Sequence, residues 1–332
     1  MKFIVVGLGS IGKRHLKNLI HLKVPKENII GVDTRDDRLD EVRALGVDTL
    51  FKSHTDALNQ FDIDAAILCS PTNLHISQGI DFAKKGTHLM IEKPLSSDLN
   101  DIEIFRDEVS RNNVQVLMAY IFRFSPLTIK IKEIIESNKI GKILSFRGEF
   151  SEYLPDWHKY EDYRSFYMAK KSQGGGSILD QSHIFDLAHY LFGNFKDVFA
   201  FNSKISSLEI DADDIAELIV TMESGVIGSL HTDIFGRKHK KYMEIKGEGG
   251  NLLWDFYSNS ISLYDSNNSI DKVYDNFESD FNKIYINEMK HFIDCCNRNE
   301  EPIASLNDGI DTMKLILSAE KSHNSKQLES IN

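Results

Sequence analysis

The sequence predicts an α/β protein of two domains, the first built on a doubly wound parallel sheet. Three observations carry this. Apolar runs alternate with helix-like stretches through roughly the first 120 residues, and a G-x-G-x-x-G turn follows the first run. Later, strand-like segments succeed one another with turns and few helices.

At 332 residues the chain exceeds what one hydrophobic core usually serves, so two domains are expected, at 1–122 and 123–332. In the first, "KFIVVG", "NIIGVD", "DAAILCS", "THLMIE" and "VQVLMAY" read as strands, mostly with continuous apolar runs that suit a sheet covered on both faces. Between them "IGKRHLKNLI", "TNLHISQGIDFAKKG" and "SDLNDIEIFRDEVSRNN" have helical spacing, which makes the sheet parallel. A further helix, "SPLTIKIKEIIESNKIG", precedes the change of pattern. "KILSFRGEFSEY", "FKDVFAFNSKI", "DDIAELIVTME", "VIGSLHTDIF", "KYMEIKGEGGNLLWDF" and "SISLYDS" then read as a mainly antiparallel sheet. One glycine-rich turn and helix, "GGGSILDQSHIFDLAHYLFG", interrupts it, and helices near 281–298 and 305–323 close the chain.

Composition narrows the class. Fifty acidic against 39 basic residues give a net charge of −11, which argues against a nucleic-acid binder. No run approaches the roughly 20 apolar residues of a membrane span, and "MKFIVVGLGS" enters a strand without a signal-peptide pattern. The cysteines, Cys69, Cys295 and Cys296, form no disulfide framework and no metal-ligand spacing, so a reducing cytoplasm and no metal are expected.

In "VVGLGSIGKRH", Gly7, Gly9, Ser10, Ile11 and Gly12 form the turn between a strand and a helix. Gly7 permits the tight turn, Gly9 a close approach of pyrophosphate, and Gly12 tight helix–sheet packing. Asp33 ends the second quoted strand, where a carboxylate can hold ribose hydroxyls and repel a 2′-phosphate. Dinucleotide binding is therefore expected, with NAD favoured over NADP although Arg35 and Arg38 stand close enough to meet a phosphate. Ligands of such sheets bind beyond the carboxyl ends of the strands. That edge gathers Ser70, Pro71, Asn73 and His75 of "CSPTNLH" with Glu92 and Lys93 of "LMIEKPLSS", beside the expected nicotinamide.

The second domain offers Asp180, His183 and Asp186 at spacings of three, on one helical face. A metal site or a proton-transfer group fits this spacing, but spacing alone favours a polar helix start, with Asp180 as a cap and His183 satisfied by a neighbour. Hydride chemistry on an alcohol adds weight to proton transfer, because the hydroxyl proton must leave. A histidine suits that near neutral pH, and a lysine can polarise the oxygen. Lys93 and His183 are the residues for these roles, from opposite sides of a cleft between domains. The segment "EYLPDWHKYEDYRSFY" holds Tyr153, Trp157, His158 and Tyr163, which suit either a sugar platform or ordinary aromatic packing. Arg123 completes the candidates for substrate contact.

Together these motifs resemble the Gfo/Idh/MocA (glucose–fructose oxidoreductase/inositol dehydrogenase) family over nearly the whole chain. The resemblance rests on "GLGSIGKRH", the 71–75 loop, "EKP" at 92–94, "AYIFRFSP", "GGGSILDQSHIFD" and "GEGGNLLWDF", in family order. "YLPDWHKYEDYR" is similar to a branch linked to bacterial surface-glycan sugars. The resemblance implies a catalytic lysine at Lys93, a catalytic histidine at His183 and a supporting carboxylate at Asp180. Many relatives place that aspartate four residues before the histidine, so Asp186 stands as the alternative. Ile121 stands where a polar residue is common in relatives and Ile184 where some have glutamate, departures that can alter substrate contacts without removing the catalytic pair. An open second sheet that pairs subunits, and hence a homodimer or homotetramer, is also implied. The expected activity is NAD-dependent hydride transfer from a secondary alcohol of a sugar, sugar acid or nucleotide sugar. The alternatives are an NAD-dependent glycoside hydrolase with transient oxidation, and a non-catalytic dinucleotide and sugar sensor.

Overall fold

A computed structural model describes residues 1–157, 162–264, 267, 270–274 and 280–331. The chain divides into two units, Met1–Ile121 with Asn282–Gly309, and Phe122–Phe281 with Ile310–Asn332. The changeover at 121/122 lies one residue from the expected boundary. Residues Asn282–Gly309, expected in the second domain, instead pack within the first. Nothing in an amphipathic pattern says which core its apolar face joins.

The first unit runs β1 (Phe3–Val6), α1 (Ser10–His21), β2 (Ile29–Val32), α2 (Asp36–Arg43), β3 (Leu50–Phe51), α3 (His54–Gln60), β4 (Ala65–Leu68), α4 (His75–Ala83), β5 (His88–Ile91), α5 (Ile102–Arg111) and β6 (Val116–Met118). Its six strands are parallel in the order β3-β2-β1-β4-β5-β6. Every residue of β1, β2 and β4 is buried, as continuous apolar runs require. Full burial of each large aliphatic side chain contributes about 1.5–3 kcal/mol. The order reverses between β1 and β4, so the loops after these two strands diverge and leave a crevice at their carboxyl ends. β3, absent from the sequence prediction, has two residues, too few for a period to show.

The second unit contains α6 (Pro126–Glu136), β7 (Ile143–Tyr153), α7 (Ser177–Asp180), α8 (His183–Phe192), β8 (Phe195–Ser203), β9 (Ile215–Met222), β10 (Ile227–Asp233), β11 (Phe235–Gly247), β12 (Gly250–Asp255), β13 (Ser260–Tyr264) and β14 (Ile270–Tyr274). α9 (Phe281–Cys296) then enters the first unit, α10 (Leu306–Ser325) returns to the second, and β15 (Glu329–Ser330) ends the chain. Nine strands form one sheet, β14-β13-β12-β11-β7-β10-β9-β8-β15. The β7–β10 pair is parallel and the others are antiparallel.

Alternation along β9 separates the two faces of this sheet. Ala216, Leu218, Val220 and Met222 are buried, whereas Glu217 and Ile219 are exposed. On the buried side Ile184 of α8 fits against Gly148 of β7, where an added Cβ would stand 2.6 Å from Ile184 Cδ1. Ser322 of α10 accepts a hydrogen bond from the Ala200 amide of β8 at 3.0 Å. The other side carries Phe201, Ile219 and Ile227, each more than half exposed. No helix among the described residues is long and apolar enough to cross a membrane.

That second face also carries His231, bonded to Glu217 at 2.6 Å and to Asp233 at 2.8 Å. Burial disfavours its imidazolium, but the bonds to Asp233 and Glu217 prevail and raise its pKa to about 9. Its folded pKa lies above the unfolded one, so the stabilisation is complete below about pH 6.5 and disappears as pH passes about 9. His231→Gln is therefore expected to cost about 1–2 kcal/mol at neutral pH. Denaturant melts of the two proteins should converge above about pH 9.5.

Candidate active site

The glycine turn of the first unit leaves room where a pyrophosphate would approach. Gly7 has φ +90°, and a Cβ there would lie 2.4 Å from the Cys69 carbonyl oxygen. A Cβ on Gly12 would lie 1.8 Å from the Gly7 carbonyl oxygen. Gly9 is different: its Cβ would meet only the Arg38 guanidinium, at 3.8 Å. Gly9 caps α1 without a side chain, and no acidic residue occupies the first turn, which begins with Ser10 and Ile11. The positive end of the helix is thus left uncompensated by the protein, as an anionic ligand requires.

Asp33 is buried and linked to this turn. It accepts from the Leu8 amide at 2.7 Å, the Arg35 amide at 2.9 Å and Arg38 Nη1 at 3.3 Å. Arg38 thus stands beside both Gly9 and Asp33, where it could meet a ribose phosphate.

The loops after β4 and β5 are tied together by His75, which is 1% exposed. Its Nδ1 lies 3.1 Å from the Pro94 carbonyl and its Nε2 2.9 Å from the Ser70 carbonyl. Two carbonyls ask for an imidazolium, while burial lowers the pKa and favours the neutral ring. Burial is the larger effect, so one contact lacks its proton. The expected cofactor role of His75 is accompanied by this bracing of the loops that carry Ser70 and Pro94. Ser70 itself donates to Gln78 at 2.7 Å. Pro71 and Asn73 lie in the short turn before α4.

Glu92 follows β5 and meets His15 of α1 at 2.8 Å. The next residue, Lys93, is half-buried and joined to Pro94 by a cis peptide.

In the second unit the glycine triplet shapes the turn before α7. Gly176 has φ +117°, and a Cβ there would stand 2.2 Å from Asp213 Oδ1. Asp213 in turn accepts from the Ile178 amide at 2.9 Å, fixing the start of α7. Burial raises its carboxyl pKa to about 6. Asp180 is buried and accepts from the Tyr167 hydroxyl at 2.5 Å. His183 opens α8, half-buried among the buried Gln181, Ser182 and Ile184. The Phe122 ring meets it edge-on with centroids 5.2 Å apart.

Several expected contacts take other partners. Arg123 is 3% exposed and forks onto Asp186, with Nε 3.1 Å from both carboxylate oxygens and Nη2 2.6 Å from Oδ1. Asp186, the alternative support for His183, is thereby engaged with Arg123. Ile184 is fully buried against β7, a core residue and not the expected modifier of substrate contacts. Ile121 is likewise 3% exposed. Tyr153, Trp157 and Tyr163 pack on a small cluster of Leu154, Met168, Leu208 and Ile234, and the Tyr163 hydroxyl accepts from the Glu209 amide. His158 lies outside the described residues.

The structure adds residues that sequence reasoning missed. Glu152 accepts from Lys241 at 3.0 Å, Tyr257 at 3.0 Å and Gln181 at 3.2 Å. Lys241 lies over the rings of Phe150 and Phe256, which flank Phe122. It ends the basic run Arg237–Lys241, and Arg237 stacks on Tyr153 at 3.9 Å. The basic run is legible in sequence. Its place beside Tyr153 depends on the irregular pairing of β7 with β11 between Phe235 and Lys240, which no spacing rule supplies.

Arg123→Met should leave the Asp186 carboxylate buried without its charge partner and cost about 3–5 kcal/mol in chemical denaturation. Adding Asp186→Leu to that variant should recover part of the loss.

Two family models match. Residues 1–120 fit an oxidoreductase family with an NAD-binding Rossmann fold, and 128–253 fit the GFO/IDH/MocA C-terminal domain. The chain is 29% identical to myo-inositol 2-dehydrogenase of Thermotoga maritima, over 98% of this chain and 97% of that protein. It is 26% identical to scyllo-inositol 2-dehydrogenase (NAD(+)) of Bacillus subtilis, over 96% and 92%. The fold also matches the WlbA dehydrogenase of Bordetella pertussis, solved with NADH and UDP-GlcNAcA, at a TM-score of 0.82 and 22% identity, covering 100% of this chain and 98% of that one. With both of its units matched in chain order, the protein belongs to the Gfo/Idh/MocA family of oxidoreductases.

Proposed function

We propose that the protein is an NAD-dependent dehydrogenase that moves hydride between a secondary alcohol of a sugar, sugar acid or nucleotide sugar and nicotinamide. One observation carries this reading: a glycine turn whose Leu8 amide is held by Asp33 occurs in a chain whose Lys93 and His183 both remain half-buried, so both are reachable. The inositol dehydrogenases among its relatives support a polyhydroxylated substrate.

The turn from Gly7 to Gly12, Asp33, and the 70–75 and 92–93 loops would hold the dinucleotide, which supplies the hydride acceptor when bound. Asp33 favours NAD. Arg38 is the group through which NADP would be tolerated. Lys93 donates a hydrogen bond to the reacting hydroxyl oxygen and stabilises the negative charge that develops there. His183 takes the hydroxyl proton, and Asp180 orients the turn that carries it. Tyr153, Trp157, His158 and Tyr163 are proposed for the sugar face. Arg123 serves by fixing Asp186 and α8. The basic run beside Tyr153 favours an anionic member of the substrate class.

The apolar side chains on the exposed face of the nine-stranded sheet support association into a homodimer or homotetramer. Three free cysteines suit a cytoplasmic setting.

Reduced-nicotinamide absorbance across free sugars, inositols, sugar acids and nucleotide sugars tests the reading. One class should give signal. Lys93→Met should then lower kcat by about a hundredfold or more while the protein still melts cooperatively. Near-normal turnover in that variant would remove Lys93 from the mechanism. Sugar released from glycosides with no net reduced nicotinamide would replace dehydrogenation with redox-neutral hydrolysis.

A further inference from the structure

His183 follows a break between two helices of the second unit, and one residue serves both. The Gln181 amide closes the last turn of α7 on the Ser177 carbonyl at 3.0 Å. Its carbonyl accepts from the Ile184 amide of α8 at 3.1 Å. The angle between α7 and α8, and with it the direction of His183, therefore depends on Gln181. α8 begins at Ser182 without a side-chain cap to fix it independently. Gln181 is 2% exposed, so its side-chain amide needs a protein partner. Glu152 supplies it, accepting from Gln181 Nε2 at 3.2 Å.

Glu152 is held from two further sides. Its Oε1 accepts from the Lys241 ammonium and from the Tyr257 hydroxyl, both at 3.0 Å. It stands near the end of β7, where pairing with β11 is irregular between Phe235 and Lys240, so these side-chain bonds stand in for a regular ladder. Burial opposes its charge, yet the Lys241 ammonium and the bonds from Lys241, Gln181 and Tyr257 hold its carboxyl below the ordinary carboxylate range. A carboxylate accepts several donors at once, so one anion ties β11, the turn after β12 and the α7–α8 link to β7. The link is thus secured at Asp180 by Tyr167 and at Gln181 by Glu152.

We propose that Glu152 is a positioning residue that acts through Gln181 to fix the α7–α8 link and so the orientation of the His183 imidazole. This deepens the reading above, in which His183 takes the hydroxyl proton, and its effect on turnover rests on that reading. A general base displaced by about 1 Å loses on the order of a hundredfold in rate, so a link held at its one shared residue matters to the chemistry.

The His183 ring itself is the probe, read in nitrogen-15 spectra of protein labelled at its 12 histidines. Its signal is the one that His183→Asn removes. In Glu152→Leu that signal should move or split while the protein still melts cooperatively. Glu152→Gln keeps an acceptor of the same size and should restore the wild-type signal, a rescue that depends on the bond to Gln181. Gln181→Leu should also move the signal, and adding Glu152→Leu should move it no further. With a substrate that gives signal in the absorbance panel, Glu152→Leu should lower kcat by about ten- to a hundredfold and change KM by less than about twofold.

A wild-type His183 signal in Glu152→Leu would overturn the proposal. So would a further shift when Glu152→Leu joins Gln181→Leu, because the effect would then pass through the Phe150 and Phe122 rings. A raised KM with unchanged kcat would make Glu152 a substrate contact and overturn it equally. If His183→Asn turns over normally, the proton-transfer reading fails, and the ring spectra alone decide whether Glu152 holds His183. They also decide when the panel is silent. If Glu152→Leu does not fold, Lys241→Met takes its place. Loss of the cation should move the signal only where Gln181 is present, and an unmoved signal, or a shift that survives Gln181→Leu, overturns the proposal.

Discussion

The approach of Gly7 to the ends of two neighbouring strands sets the geometry of the first unit. Its amide bonds to the Val32 carbonyl at 2.8 Å while its α-carbon presses against the Cys69 carbonyl. Three strand ends, β1, β2 and β4, therefore converge at one point with no side chain between them. The direction of α1, the bond from Asp33 to the Leu8 amide and the openness at Gly9 all follow from that contact. Any residue larger than glycine would push the turn away from β4 and carry the helix N-terminus with it.

The second unit meets a different constraint, because a nine-stranded sheet can bury its core face only where helices cover it. α8 can approach β7 closely because Gly148 has no side chain to oppose Ile184. The same helix begins with His183 and carries Asp186, whose buried pairing with Arg123 fixes its rotation. Core packing and the proposed catalytic histidine thus share one ten-residue element. Its own Ile184, Phe185, Leu187 and Ala188 are buried, whereas His183 at its start is only half-buried.

Much of this was legible in the sequence because local rules governed it. The strands of the first sheet are short apolar runs, and the glycine turn stands where the first strand opens directly onto a helix. The antiparallel sheet was visible for the same reason, in alternation and turns. β3 and β15 were not, since two-residue strands are defined by their neighbours and not by their own residues. The return of Asn282–Gly309 to the first unit was also hidden, as was the commitment of Arg123 to Asp186 across 63 positions. An arginine reads alike in sequence whether it faces a substrate or a buried carboxylate. The aromatic stretch at 152–167 left both readings open, and most of its described rings proved to pack on Leu154 and Met168.

The buried acids show how one residue type is made to do different work. Asp186 remains useful as an anion because a guanidinium forks onto it, which compensates desolvation with two directed bonds. Glu152 is reached by an ammonium, a phenol and an amide, and although burial opposes it, these partners together lower its pKa. Asp213 has backbone amides and no cation, and its pKa rises to about 6. Glu288 has neither among the described residues, and the charge of Glu92 acts against its ionisation. The series is graded by partners and not by depth, since all four lie largely out of solvent. Where a cation reaches the acid its pKa is lowered, and where none does burial raises it. Burial first, and the charge of Glu92 second, raise the Glu288 carboxyl well above the ordinary carboxylate range.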